Sequence, residues 1–144
     1  MQADVAADRM INDIDSYPLK HVFQPGRVIR SLFIPAGNIV MGKIHAHAHW
    51  VALLEGTASV LTESGGMELV IGPWEGLSPV GTKRFLLAHT DTVWATEHLC
   101  DATDHVTLEA FAVAPSYTAI GMAEPVPVFP TLLVQPQAAE ENLV

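Results

Sequence analysis

The chain has 144 residues, of which 49% are hydrophobic and 16% charged, and its formal net charge is −9. This length suits one domain with its own core, and the composition excludes a disordered or fibrous protein. All seven lysines and arginines lie at or before Arg84, and eight aspartates and glutamates follow it. Because phosphate-backbone binding relies on clustered basic residues, we expect no nucleic-acid partner.

The sequence carries few targeting or redox signals. No apolar run approaches the roughly 20 residues of a membrane span, so no membrane partner is expected. The start, Met1-Gln2-Ala3-Asp4, lacks the basic and apolar regions of a signal peptide. The single cysteine, Cys100, excludes an intramolecular disulfide and fits a reducing compartment. These features predict an intracellular protein that is not secreted by a signal peptide.

The predicted elements begin with a short amphipathic helix over residues 3–16, where apolar residues recur at helical spacings. From His21 onward the pattern is that of β-strands. Runs rich in branched and aromatic residues, separated by glycine and proline, predict strands over 28–34, 39–45, 51–62 with an interruption at 55–56, 67–71, 83–88 and 92–99. Residues 63–66 predict a hairpin turn, and 72–76 predict a break. Six to eight short strands at this spacing indicate an antiparallel sandwich or barrel.

Beyond the last strand the sequence changes character. Asp101 to Asp104 can cap a short helix that starts near His105, although residues 105–113 also alternate as a strand would. Half of the ten prolines lie from Pro115 onward, which predicts an extended C-terminal arm. The resulting division is an N-terminal helical segment (1–20), a barrel domain (21–113) and a proline-rich arm (114–144). Because the arm is also apolar, we expect a homo-oligomer in which it covers a surface.

The stretch most suited to chemistry places His45, His47 and His49 at alternate positions. Imidazole is a good ligand for transition metals near neutral pH. On a flat strand His45 and His47 would be about 6.7 Å apart and could share an ion, whereas His45 and His49 would be about 13 Å apart. The second pair can meet only if the chain bends between them. Residues alone leave both pairs open.

The same stretch resembles the first motif of the cupin family, which runs Gly, five residues, His-x-His, three or four residues, Glu, six residues, Gly. His45, His49 and Gly56 stand near the positions of the second His, the Glu and the last Gly. Pro79-Val80-Gly81 resembles the Pro-x-Gly turn of the second cupin motif. Lys43 and Arg84 replace the two remaining histidines of the motifs. The resemblance covers about residues 25–100.

This resemblance implies a single-domain, all-β, cupin-like antiparallel β-barrel (jelly roll), to which the residue patterns add a short N-terminal helix and an extended proline-rich C-terminal arm. It implies a possible divalent metal (Zn, Fe, Mn or Ni) on His45 and His49, with His89 and His98 as completing ligands and His47 less suited. Arg84 then serves either as an anion clamp in the barrel mouth or as the partner of a nearby acid.

More narrowly, Pro79-Val80-Gly81-Thr82-Lys83-Arg84 and His89-Thr90-Asp91-Thr92-Val93-Trp94 resemble small cupin-like proteins of tailed bacteriophages. The implied function is a non-enzymatic structural or assembly component of the virion, with partners among other phage structural proteins and a location in the host cytoplasm during assembly. The alternatives are a metal-dependent oxygenase or isomerase and a small-ligand binding barrel, and fold alone does not choose among them.

Overall fold

The computed structural model describes residues 11–62 and 66–125. The strands are β1 (Ile11–Asp13), β2 (Leu19–Gln24), β3 (Arg27–Ile34), β4 (Ile39–Met41), β5 (His49–Glu55), β6 (Thr57–Thr62), β7 (Met67–Ile71), β8 (Trp74–Ser78), β9 (Arg84–Ala88) and β10 (Thr92–His98). One α-helix, α1 (His105–Ala112), follows the strands, and 3-10 helices occupy Ile14–Ser16 and Thr118–Ile120.

These strands form two five-stranded sheets that pack face to face. The first sheet has the order β1-β4-β9-β6-β7, and the second has the order β2-β3-β10-β5-β8. Their pairings are antiparallel except for the parallel pair β1–β4. The expected all-β, antiparallel, double-sheet architecture is therefore confirmed.

The core lies between the sheets because strand residues alternate in direction. In β3, Val28, Arg30, Leu32 and Ile34 are buried and their neighbours are not. The inner faces contribute branched and aromatic side chains to one central cluster, which includes Ile34, Leu53, Val60, Leu86 and Trp94. A second cluster of Ile39, Leu61 and Phe85 lies on the other face of the first sheet. Because Arg30 lies on the buried face of β3, it is a charged residue among core positions.

Most predicted strands and the hairpin between β6 and β7 are confirmed, since Leu61 pairs with Met67. Three residues of the hairpin turn (63–65) lie outside the described residues. The break predicted over 72–76 is wrong, because β8 starts at Trp74 and pairs with β5. Its place at the edge of the second sheet tolerates Gly76. The strand predicted over 39–45 ends at Met41, where the chain leaves the sheet.

The prediction of an N-terminal helix is wrong over residues 11–16, which form β1 and a 3-10 turn; residues 1–10 lie outside the described part. The backbone of 11–13 pairs with β4, and this ladder outweighs the helical spacing of the apolar residues. Helix α1 is confirmed: the Asp104 side chain accepts a hydrogen bond from the Thr107 backbone amide at 2.8 Å. Of the predicted arm, residues 126–144 are outside the described part. In the described part, no helix has the length and apolar character needed to cross a membrane.

Candidate functional site

Three histidine side chains meet at one end of the sandwich, and each comes from a different element. His49 is the first residue of β5 and His98 is the last residue of β10; both are buried on the inner face. Because Trp50 pairs with Glu97 across these two strands, the neighbouring residues His49 and His98 lie side by side. His45 belongs to the connection that follows β4.

The backbone around His45 is fixed from two sides. Its amide donates to the Thr82 carbonyl at 3.0 Å, and its carbonyl accepts from the Gly81 amide at 2.8 Å. On the other side it forms an isolated antiparallel bridge with Val113, at the end of α1. The chain then bends at Ala46 and His47 before β5 begins. This is the bend that a meeting of His45 with His49 requires.

The bend brings the three rings into contact. The ring centroids of His45 and His49 are 3.9 Å apart, those of His49 and His98 are 5.1 Å apart, and those of His45 and His98 are 6.0 Å apart. His49 Nδ1 lies 3.1 Å from the His47 carbonyl oxygen. A carbonyl only accepts, so Nδ1 carries the proton and Nε2 of His49 keeps its lone pair. His98 Nε2 lies 2.9 Å from the Thr96 hydroxyl.

Two nitrogen atoms of this cluster are buried without a partner: His45 Nδ1 and His49 Nε2. Buried polar atoms are normally hydrogen-bonded, and an unmet one costs about 1–3 kcal/mol. Both atoms belong to neighbouring rings in contact. They are the atoms of the cluster that a bound ligand would satisfy.

The imidazoles are held neutral. Burial is the largest cause that lowers the pKa of His45 to about 2, with added repulsion from His49, His98, Arg84 and Arg30. Burial also lowers the pKa of His49 to about 4 and that of His98 to about 3. Neutral imidazole is the form that binds metal ions.

Two guanidinium groups lie beside the rings. Arg84 donates a hydrogen bond to the Ser78 hydroxyl at 2.7 Å, and its guanidinium carbon is 6.0 Å from the centroid of the Trp94 ring. Arg30 is buried; one of its terminal nitrogens is 3.4 Å from the Glu109 carboxylate, and its Nε has no partner. Both side chains line a cavity of about 40 Å³ between the sheets, together with His45 and Thr96.

The structure does not bring the other candidate histidines to this cluster. His47 is exposed and stacks on Phe111, with ring centroids 4.1 Å apart. His89 is also exposed, and its Nε2 lies 2.7 Å from the Ser59 hydroxyl. His89 follows β9, whose inner face ends with the buried Ala88, so its side chain points away from the space between the sheets. The pair that assembles is His45 with His49, joined by His98.

Sequence reasoning overlooked Arg30 as a site residue. The sequence gives little signal for it, because both faces of β3 carry apolar residues. Among residues 11–62 and 66–125, no three His, Cys, Asp or Glu side chains form a group that could hold a metal ion as they stand. The donor chemistry nevertheless fits a transition metal, since two neutral imidazoles in contact each have an unpartnered buried nitrogen.

Comparison with known proteins identifies the fold. No protein-family model matches the sequence, and no curated protein matches it significantly. Among solved structures, a salicylate 1,2-dioxygenase from Pseudoaminobacter salicylatoxidans matches with a TM-score of 0.55 and 11% identity, over 69% of this chain and 30% of that one. At this identity the match shows a shared fold and nothing about activity.

Proteins described as cupins are also among the matched structures. An RmlC-like cupin from Desulfovibrio desulfuricans has a TM-score of 0.46 and 20% identity, over 56% of this chain and 80% of that one. A cupin-2 domain protein from Shewanella frigidimarina has a TM-score of 0.47 and 10% identity, over 58% and 80%. Nothing in these matches points to a bacteriophage origin.

Proposed function

We propose that this chain is a small binding protein whose histidine cluster takes a divalent transition metal ion. His45 and His49 are the first two ligands. His98 becomes the third ligand when its Nε2 gives up the contact with the Thr96 hydroxyl and binds the ion instead. The observation that carries the proposal is the pair of buried, unpartnered nitrogens on two rings in contact. Zinc, iron and nickel all suit imidazole ligands, whereas manganese favours oxygen ligands.

The surrounding chain prepares these ligands. The His47 carbonyl fixes the tautomer of His49, which is the usual task of a second partner on a ligating histidine. Burial keeps all three rings unprotonated at neutral pH, so no proton has to be displaced before binding. A bound ion would supply a Lewis acid with open positions for a further ligand. An oxygenase or isomerase activity would depend on the same ion.

The proposal predicts stoichiometric metal in protein that is purified without a histidine tag, loaded with excess zinc or manganese and desalted. Removing one ligand, as in His45→Ala or His49→Ala, is expected to lower the affinity by more than the roughly 10–100-fold that loss of an outer-shell partner costs. Elemental analysis and competition with a chromogenic chelator measure both quantities.

The matched controls are His47→Ala and His89→Ala, which remove imidazoles that lie outside the cluster. Both should retain the ion at native stoichiometry. Background metal in the native protein, or equal loss in all four variants, would contradict the proposal. Circular dichroism of each variant separates lost binding from lost folding.

A second candidate is the assembly role implied by the resemblance to phage proteins. The observation that favours it is an apolar outer face on the second sheet, where Trp50 and Leu77 are 48% and 60% exposed. Such faces usually bind another protein surface. Self-association is the first requirement of this role and is tested below.

A further inference from the structure

We propose that the cavity beside the histidine cluster binds a small carboxylate through Arg84 and Arg30. This inference rests on the proposed function, because it names the class of ligand that the same site takes. The contact with the guanidinium groups does not itself need a metal ion. Its failure and the failure of metal binding can therefore be told apart.

The charges around the cavity are not balanced. Arg84 contacts the Ser78 hydroxyl and the Trp94 ring, and no carboxylate in the described part of the chain forms an ion pair with it. Arg30 shares the carboxylate of Glu109 with Lys43, at 3.4 and 3.6 Å. Two guanidinium charges thus face the cavity, while Glu109 is shared between Arg30 and Lys43. An anion would compensate them.

The Nε of Arg30 is buried without a hydrogen-bond partner. Arg30 is only 6% exposed, so water on the surface does not reach this N–H. Guanidinium groups bind carboxylates through paired N–H donors in a plane. Thr96, which also lines the cavity, adds a hydroxyl. The donors of the cavity therefore suit an acceptor-only, planar group.

The size of the cavity limits the ligand. A cavity of about 40 Å³ holds a few atoms of the size of water oxygen and excludes an aromatic ring. The other lining residues are apolar and include Leu32, Val40, Val51, Leu86 and Trp94. A carboxylate with at most a methyl group matches this space. The bound molecule is then acetate-sized, or is the carboxylate end of a ligand whose remainder extends toward the histidines.

Acetate and acetamide test this inference, because they have the same shape and differ in charge. In metal-free protein at constant ionic strength, we expect carboxyl-labelled acetate to show a saturable NMR shift on titration, and acetamide to show none. Arg84→Gln should weaken acetate binding at least about tenfold, and Arg84→Lys should weaken it less. Arg27→Gln, at a surface ion pair with Glu97, is the control that should bind as the native protein does.

Acetate that fails to bind, binds no better than acetamide, or binds equally to Arg84→Gln overturns the inference. If Arg84→Gln does not fold, the comparison of acetate with acetamide on the native protein still decides. Metal bound without acetate binding leaves the proposed function standing and removes this inference. Acetate binding by a protein that takes no metal would support this inference and contradict the proposed function.

A second inference comes from the outer face of the second sheet, a different part of the molecule. The geometry points to a dimer in which two copies pack this face together, with a two-fold axis parallel to the central strand β10. Rows of residues run across this face from β2 to β8. One such row is Lys20, Ser31, Ala95, Ala52 and Glu75.

An axis along β10 places each end of a row opposite the other end of the same row in the second copy. Lys20 then faces Glu75, and the small Ala95 faces itself at the centre, where the sheets can approach closely. In the next row, Val22, Ile29, Glu97, Trp50 and Leu77, the same axis places apolar residues opposite apolar ones. Glu97 meets its copy, but each Glu97 is already paired with its own Arg27.

The apolar area on this face is the driving force. Phe33, Trp50, Leu54 and Leu77 are each about half exposed or more, at 48%, 48%, 50% and 60%. A groove of about 450 Å³ passes between Ile29, Trp50 and Leu54. Exposed contiguous apolar surface of this kind indicates a protein interface, and the charge pattern selects a second copy of this chain as the occupant.

Sedimentation equilibrium over a range of concentrations tests the dimer. Trp50→Asp should convert it to a monomer, whereas Leu69→Asp, on the exposed strand β7 of the other sheet, should not. Lys20→Glu alone should weaken the dimer about tenfold, because position 20 then faces Glu75 of the other copy with like charge on both sides of the axis. Adding Glu75→Lys should restore it. A native monomer at all concentrations, or a double variant that is no stronger than the single one, overturns this arrangement.

Discussion

Gly56→Ala is expected to destabilise the fold by about 3–5 kcal/mol. Gly56 joins β5 to β6 with φ of +98°, a conformation that side chains rarely adopt. A β-carbon added there would lie 2.4 Å from the Asp91 carbonyl oxygen and 2.9 Å from the Thr92 α-carbon. Both are backbone atoms, so no side-chain rotation relieves the clash. Urea denaturation monitored by tryptophan fluorescence measures the loss.

Gly37→Ala provides the matched control. Gly37 also has a positive φ, of +86°, but an added β-carbon would meet nothing within 4 Å. This variant carries the conformational strain without the clash, and we expect a loss of about 1–2 kcal/mol. If the two variants are equally stable, the close approach of Asp91 and Thr92 to Gly56 is not what requires glycine.

Acidification from pH 7 to pH 5 is expected to lower the free energy of unfolding of the metal-free protein by about 6 kcal/mol. Each buried histidine of the cluster has its pKa lowered, to about 2, 4 and 3 for His45, His49 and His98. At pH 5 all three remain neutral in the folded chain, whereas in the unfolded chain they bind protons below about pH 6.5. The unfolded state gains about 2 kcal/mol per histidine over this range, so stability falls with falling pH.

Urea denaturation at pH 7, 6 and 5 in the presence of a chelator measures this effect. His98→Gln should remove about a third of the pH dependence, because it removes one of the three groups. His47→Gln, at an exposed position, should leave the dependence unchanged. Stability that stays level between pH 7 and pH 5 would show that the cluster is not buried as described.

Much of the architecture follows from local pattern. The run of branched and aromatic residues over 28–34 predicts β3, but it does not predict the buried face, because Ile29 and Phe33 on the outer face are apolar as well. The strand β8 was missed because Gly72-Pro73 and Gly76 suggest a break. Gly76 has a packing reason that the sequence does not show: a β-carbon there would lie 3.0 Å from the Trp74 ring.

Part of the site was also predictable from the sequence. Alternate spacing and the family resemblance identify His45 and His49, and a bend between them was recognised as necessary. The third ring depends on long-range pairing of β5 with β10, which brings His98 beside His49. Nothing local distinguishes His98 from His89, because the difference lies in which face of its sheet each occupies. Arg30 was missed because a charged residue in a core strand is identified only by the cavity it lines.

His45 and His49 are proposed to hold a metal ion at the end of the sandwich. Anomalous diffraction at the zinc edge, from crystals of untagged protein loaded with zinc, would locate that ion. We expect a peak within ligand distance, about 2.1 Å, of nitrogens of His45 and His49. A peak only at His47 or His89, or no peak in protein that diffracts well, would contradict it.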